Sequence, residues 1–251
     1  MSKEELGRLL ELAKSVSLEA GKFLLRNKGN KHEILFSKGR DIKLKLDIDA
    51  EIMIKEALSR ESQLAILGEE TGTDKNKNLE EIYWVVDPLD GTSNFLRGVP
   101  ISCVSIALMN NLKPIIGVIY DFNLDDLYYA SEETLSFLNG QELRVSSVSR
   151  RSQSTLMTGI PAKENYTDVE FRNMIDDFQS WKKIRMIGSA AMSSAYVASG
   201  KADAYSEKGI FLWDVAAGAA IVNSSGGRTV IKNLQTNFRV DAIFTNKLLN
   251  F

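Results

Sequence analysis

Cysteine and histidine are almost missing from this sequence of 251 residues, which has one of each, Cys103 and His32. A single cysteine excludes a disulfide framework within the chain and favours a reducing compartment. Cys103 lies in the apolar run ISCVSIAL with no histidine near it in sequence, so it reads as small core filler rather than a nucleophile. An excess of charge of one sign is also missing: 31 basic residues face 33 acidic ones, a formal net charge of -2. That balance carries no electrostatic footprint for nucleic acid or an anionic membrane surface. Acids and bases are threaded through the N-terminal stretch MSKEELGRLLELAKSVSLEAGKFLL, which holds no unbroken apolar run. Neither a signal peptide nor a membrane anchor is expected, and the expected location is the cytoplasm. The absence of GxxxxGKS or GxxxxGKT excludes a P-loop.

What is present is an ordinary globular composition, 44% hydrophobic and 25% charged, with length enough for one large domain or two joined lobes. Leu6, Leu9, Leu10, Ala13, Val16, Ala20, Phe23 and Leu24 recur at helical spacing and predict a long amphipathic helix ending near Gly29. A second helical pattern runs from Asp47 to about Ser59, and the strand-like QLAIL then delivers Gly68-Glu69-Glu70. The polar loop TGTDKNKNLEE follows; its KNKN run reads as solvated. Beyond the YWVVD strand, antiparallel β structure is expected in ISCVSIALM, IIGVIYDF and LYYAS, with a hairpin at Asn139-Gly140 before ELRVS. Farther on, TLMTGI, KIRMIG, ADAYS and DAIFT alternate with helical stretches at 168–180, 189–199 and 214–224. The expected organisation is an α+β unit of two lobes: 1–150 with the antiparallel sheet, and an α/β lobe over 151–251.

Acids punctuate the ends of these elements. In WVVDPLDGTSNF an apolar, β-favouring run breaks into Asp87 and Asp90, with Pro88, Gly91 and Thr92 around them. Glu69 and Glu70 likewise follow a strand, and Asp214 opens a helix after Trp213. Taken singly, Asp214 is a helix cap and Asp-Pro a turn. Taken together, carboxylates leaving strand ends toward one crevice repel each other unless cations neutralise them. Oxygen donors without histidine or cysteine favour Mg²⁺, or Mn²⁺, over zinc. Gly91 permits a sharp turn, after which the Gly91 and Thr92 N–H groups can seat a phosphate beside the cations.

Glu69-Glu70, Asp87-Pro-Leu-Asp-Gly-Thr-Ser-Asn-Phe95 and Trp213-Asp-Val-Ala-Ala-Gly218, in that order, resemble the signature motifs of the inositol monophosphatase family. That family lies within the lithium-sensitive, metal-dependent phosphatases that include fructose-1,6-bisphosphatase. The resemblance implies a layered αβαβα fold. It also implies that Glu69, Asp87 and the Leu89 carbonyl hold a first metal, and Asp87, Asp90 and Asp214 a second. A third metal would lean on Glu69 and Glu70. Thr92 would help to activate the attacking water, with Asp47 and Asp41 as partners. Gly188, Ser189, Ala190 and Glu207 look like the family's substrate contacts, alongside Gly91 and Thr92. KGRDIKLKLD departs from the family pattern: Leu44 and Leu46 stand where hydroxyls are usual, and Lys38 is closer to Asp41 than the family's loop lysine. The resemblance further implies a homodimer and a Mg²⁺-dependent hydrolysis of a small phosphate monoester. Inositol 1-phosphate leads; fructose 1,6-bisphosphate, histidinol phosphate and 3'-phosphoadenosine 5'-phosphate are the alternatives, and a catalytically weak phosphate-ligand sensor is the non-enzymatic one. The spacing Asp-x-x-Asp-Gly-Thr separates the chain from haloacid dehalogenase phosphatases, whose acids are spaced Asp-x-Asp.

Overall fold

The computed structural model describes residues 1–29, 33–38, 41–73, 81–160 and 167–250. His32 and the KNKN run therefore lie outside the described residues, as do the side chains of Lys38 and Asp41. Helix α1 (Lys3–Asn27) starts from Ser2, whose hydroxyl accepts from the Glu5 N–H, and ends just before Gly29 as its spacing predicts. Strands β1 (Ile34–Lys38) and β2 (Asp41–Leu44) form a hairpin that feeds α2 (Lys45–Glu61). Next come β3 (Ala65–Gly68), β4 (Gly72–Thr73), β5 (Ile82–Asp90), the short α3 (Thr92–Arg97), and β6 (Cys103–Asn110). The meander continues through β7 (Lys113–Asp121), β8 (Asp126–Ser131), β9 (Phe137–Leu138) and β10 (Gln141–Glu142). The remainder holds β11 (Thr155–Thr158), α4 (Asp168–Gln179), β12 (Lys183–Arg185), α5 (Ala190–Ala198), β13 (Ala204–Phe211), α6 (Leu212–Ser224), β14 (Arg228–Lys232) and β15 (Arg239–Thr245).

Two large sheets result, an eight-stranded one in the order β10-β9-β8-β7-β6-β5-β3-β4 and a five-stranded one in the order β12-β11-β13-β15-β14. Along β5 the side chains alternate: Trp84 and Val86 join the core under α1 and α2, whereas Tyr83 and Val85 join the core around α5 and α6. Helices α5 and α6 thus fill the space between the sheets, α1 and α2 cover the outside of the larger one, and Phe178 of α4 packs with Trp181 on Leu156 and Ala204 of the smaller. The order α, β, α, β, α is the layering expected from the resemblance. Helix α6 is apolar nearly all round, as a helix buried on both sides must be. It approaches β7 so closely that a Cβ at Gly117 would lie 2.2 Å from the Ala217 carbonyl oxygen.

Three details depart from the sequence reading. The Asn139-Gly140 turn forms with both residues at positive φ, and Gln141 and Glu142 pair with β9 while the Leu143 N–H donates to the Ser136 carbonyl, but the chain then leaves the hairpin and crosses to bond Val145 N–H to the Ser225 carbonyl. The hairpin β1–β2 and the edge strand β14 were not expected. In β14 Arg228 and Lys232 are exposed and the three residues between them half-buried, without the alternation that marks a strand.

Candidate metal and phosphate site

Sheet register brings the first acids together. Strand β3 runs parallel to β5 with Gly68 opposite Val86, so the next residues, Glu69 and Asp87, stand side by side; the Glu69 N–H donates to the Val86 carbonyl at 3.1 Å. Asp87 continues the Tyr83, Val85 series and so faces the start of α6. There Asp214 lies in the first turn, its Oδ2 accepting from the Phe211 N–H at 3.1 Å. Ser105, opposite Asp87 across β6, donates to the Trp213 carbonyl and ties that helix start to the sheet. Glu69, Asp87 and Asp214 each offer a carboxylate oxygen, and these oxygens lie within 4.8 Å of one another.

Asp90 arrives by a bulge. Asp87 pairs with Ser105 and Asp90 with Cys103, so β5 spends one more residue than β6, and Pro88, which has no N–H to give the ladder, sits in the irregularity. The Leu89 N–H turns back to Asp87 Oδ1 at 3.0 Å, while the Leu89 carbonyl accepts from the Thr92 hydroxyl at 3.0 Å. Asp90 Oδ2 is held at the start of α5 by the Ser189 hydroxyl and the Ala191 N–H, both at 2.6 Å. The Ser189 hydroxyl also caps α5 by accepting from the Met192 N–H, so of the suggested substrate contacts it is engaged with the protein itself. Gly91 adopts φ +88, and a Cβ there would lie 2.7 Å from the Ile101 carbonyl oxygen, so glycine is required for the turn. Gly188 (φ +72) is tied to the same place through Asn94, whose amide donates to the carbonyls of Ile187 at 2.7 Å and Ile101 at 2.9 Å.

Helix α2 contributes Asp47, whose Oδ2 accepts from the Leu44 N–H at 3.0 Å. Its other oxygen, Oδ1, is buried without a hydrogen-bond partner among the described residues. Burial pushes the Asp47 carboxyl up to about 7, and the nearby Glu70 charge adds to that, while the Leu44 N–H and Lys43 oppose it. Burial and then Glu70 push Glu69 up to about 8. Asp87 and Asp214 are held well above the usual carboxylate range by burial and by each other's neighbours in the cluster. Asp90 rises less, to about 6, because Ser189 and the Ala191 N–H favour its ionised form. Lys43 is a cation at the edge of the cluster, its ammonium 3.2 Å from Glu70 Oε2. Acids forced upward together, an Asp47 oxygen with no donor among the described residues, and an all-oxygen donor set fit hard divalent cations.

Glu207, on β13, is half-buried beside Gly159, and Tyr205 donates to its Oε2 at 3.1 Å. Burial pushes it up to about 7, with the Asp90 charge adding to the rise. It also lines a cavity of about 810 Å³ beneath α4, together with Lys208, Arg239 and Asp241. None of the four clustered acids Glu69, Asp87, Asp90 and Asp214 reaches that cavity, so Glu207 stands at the boundary between the two spaces.

The model of the inositol monophosphatase family matches residues 5–241. The chain belongs to that family. It is 38% identical over 231 residues to "Nus factor SuhB" of Xylella fastidiosa, covering 90% of this chain and 82% of that protein. It is 35% identical to "Inositol monophosphatase" of Dictyostelium discoideum, covering 90% and 85%. Among solved structures, the inositol monophosphatase from Anabaena superposes with a TM-score of 0.81 at 31% identity, over 96% of this chain and 92% of that one.

In this family member, sequence reasoning overlooked Glu51, Lys43 and Asn94. Glu51 had a signal: it follows Asp47 by four residues in a helical pattern, flanked by Ala50 and Ile54, and an acid on the buried face of a helix asks for a partner. Asn94 sits inside the quoted motif but its long-range carbonyl partners do not show in sequence. Lys43 carries no local signal at all.

Proposed function

We propose that the protein is a Mg²⁺-dependent phosphomonoesterase acting on a small polyol phosphate, with inositol 1-phosphate as the leading substrate, by direct in-line attack of water. The observation that carries this is the meeting of Glu69, Asp87 and Asp214 within 4.8 Å beside Asp47 Oδ1, which has no partner among the described residues. Glu69, Asp87 and the Leu89 carbonyl would hold one cation, and Asp87, Asp90 and Asp214 a second. When bound, such ions supply Lewis acidity to the phosphoryl group and lower the pKa of water. The chain's own groups do the rest. Thr92 Oγ and Asp47 Oδ1 orient the attacking water, with Oδ1 as the acceptor. The Thr92 N–H lies at the turn that receives the phosphate, and Gly91 allows the backbone to approach it. As the water oxygen bonds to phosphorus the ester oxygen leaves on the opposite side and takes up a proton. Glu207 accepts from the hydroxyls of the alcohol, which favours a polyol. The names of relatives such as the Dictyostelium enzyme support the phosphatase class.

The test is hydrolysis of inositol 1-phosphate beside fructose 1,6-bisphosphate, histidinol phosphate and 3'-phosphoadenosine 5'-phosphate, with and without Mg²⁺. Inositol 1-phosphate should show the highest kcat/KM, and activity undiminished by EDTA would overturn the metal-centred reading. Lithium inhibition and a homodimer belong to the same reading. A single sedimenting species near 28.0 kDa at micromolar concentration would remove the dimer.

A further inference from the structure

Between β3 and β4 the chain turns through three residues, Glu69, Glu70 and Thr71, with Gly72 in the left-handed region at φ +69. The backbone of this turn is held from outside. The Glu51 carboxylate, fully buried on α2, accepts at Oε2 from the Glu70 N–H at 2.7 Å. At Oε1 it accepts from the Thr71 N–H at 2.9 Å, the Thr71 hydroxyl at 2.5 Å and the Lys55 ammonium at 3.2 Å. Lys55 closes the arrangement by donating to the Thr71 hydroxyl at 2.6 Å and the Gly72 carbonyl at 2.7 Å. Gly68 makes room for it: a Cβ there would lie 2.3 Å from Glu51 Oε1, so the residue before Glu69 must lack a side chain.

We infer that Glu51 is a positioning residue for Glu69 and Glu70: it fixes the backbone of the turn that carries them and thereby sets how tightly the carboxylate cluster holds a divalent cation. This rests on the metal-centred reading above. A short turn aimed into a cluster of like charges is pushed outward by repulsion, and Glu51 supplies the opposing pull from behind. Both its oxygens are engaged by N–H donors, and the Lys55 ammonium lies beside Oε1. A glutamine of the same shape places its NH₂ against either the Glu70 N–H or the Thr71 N–H, so one donor loses its acceptor and faces another donor. Groups that hold metal ligands in place affect metal affinity by about 10–100-fold when lost.

The experiment measures Mn²⁺ binding to the full chain by electron paramagnetic resonance, with melting temperature and kcat/KM recorded on the same samples. For Glu51→Gln the expected result is a Kd for Mn²⁺ raised by about 10–100-fold, with a folded circular dichroism spectrum and a kcat/KM that recovers when Mn²⁺ is raised in proportion. Thr71→Val, which removes one donor to Glu51, should raise Kd in the same direction by a smaller factor, and it decides the matter if Glu51→Gln does not fold. Wild-type Mn²⁺ affinity in a folded Glu51→Gln, or in Thr71→Val when that variant decides, overturns the inference alone and leaves Glu51 a purely structural acid. A wild-type protein that binds no Mn²⁺ overturns the metal-centred reading and the inference with it.

Discussion

Two groups of wholly or partly buried carboxylates lie on either side of one short turn and are built in opposite ways. Behind the turn, Glu51 has four donors around it, two of them backbone N–H groups. In front, Glu69, Asp87 and Asp214 point at one another, and Asp47 keeps an oxygen with no partner among the described residues. A buried charge with a full set of donors holds structure; buried charges facing each other raise the energy of the metal-free fold and are relieved by a ligand. The contrast within one small volume teaches that burial of an acid says little about its role until its partners are counted.

Chelation should separate the two groups most sharply. EDTA is expected to abolish phosphatase activity and Mg²⁺ to restore it, because on the proposed reading the front cluster acts through an ion while the Glu51 contacts are internal; full activity after exhaustive chelation would erase the distinction. Next in size, Asp90→Asn or Asp214→Asn should each cut turnover by on the order of a hundredfold or more by removing an anionic ligand. Asp214→Asn should also raise the melting temperature of the metal-free protein, since it removes one of several repelling charges, whereas Glu51→Gln should lower it. Matching shifts in the two variants, read by calorimetry, would refute the comparison.

Smaller effects sharpen it. Glu207→Gln should lower kcat/KM for a polyol phosphate, relative to an aryl phosphate without hydroxyls, by about 1–3 kcal/mol of lost charge-assisted hydrogen bonding. Equal loss on both substrates would assign Glu207 to structure instead. The mildest effect concerns pH. Asp47, Asp90 and Glu69 bind protons more tightly folded than unfolded, with carboxyls pushed up to about 7, 6 and 8. Between about pH 4 and pH 8 the folded state therefore carries the extra protons, so the stability of the metal-free protein falls as pH rises through that window. Saturating Mg²⁺ should flatten the slope. A metal-free melting temperature that climbs from pH 5 to pH 8 would mean that other groups govern stability.

Much of this was legible beforehand where a local rule operates. The long helical stripe of α1, the apolar run of β5 and the Asn139-Gly140 turn all follow from periodicity, composition or backbone preference. The acids at strand ends were legible as a set, because each breaks an apolar run. Less visible was what binds the acids from behind. Ser189 turns its hydroxyl onto Asp90 from 99 residues away, and Asn94 reaches the Ile187 carbonyl from 93. Such pairs have no short-range signature.

The sequence by itself determined which residue types can do the chemistry: oxygen ligands without imidazole or thiolate neighbours, a glycine where the backbone needs positive φ, and an apolar strand that delivers acids to its end. Those are properties of single residues and their near neighbours. Only the tertiary structure decided which acids meet and which are satisfied, because the β3–β5 register, the bulge at Pro88 and the start of α6 are set by packing between distant segments. Asp47 and Glu51 show the division most plainly. One turn of the same helix presents both acids to the turn after β3, and the positions of the surrounding donors engage both oxygens of Glu51 while leaving Asp47 Oδ1 without a partner among the described residues.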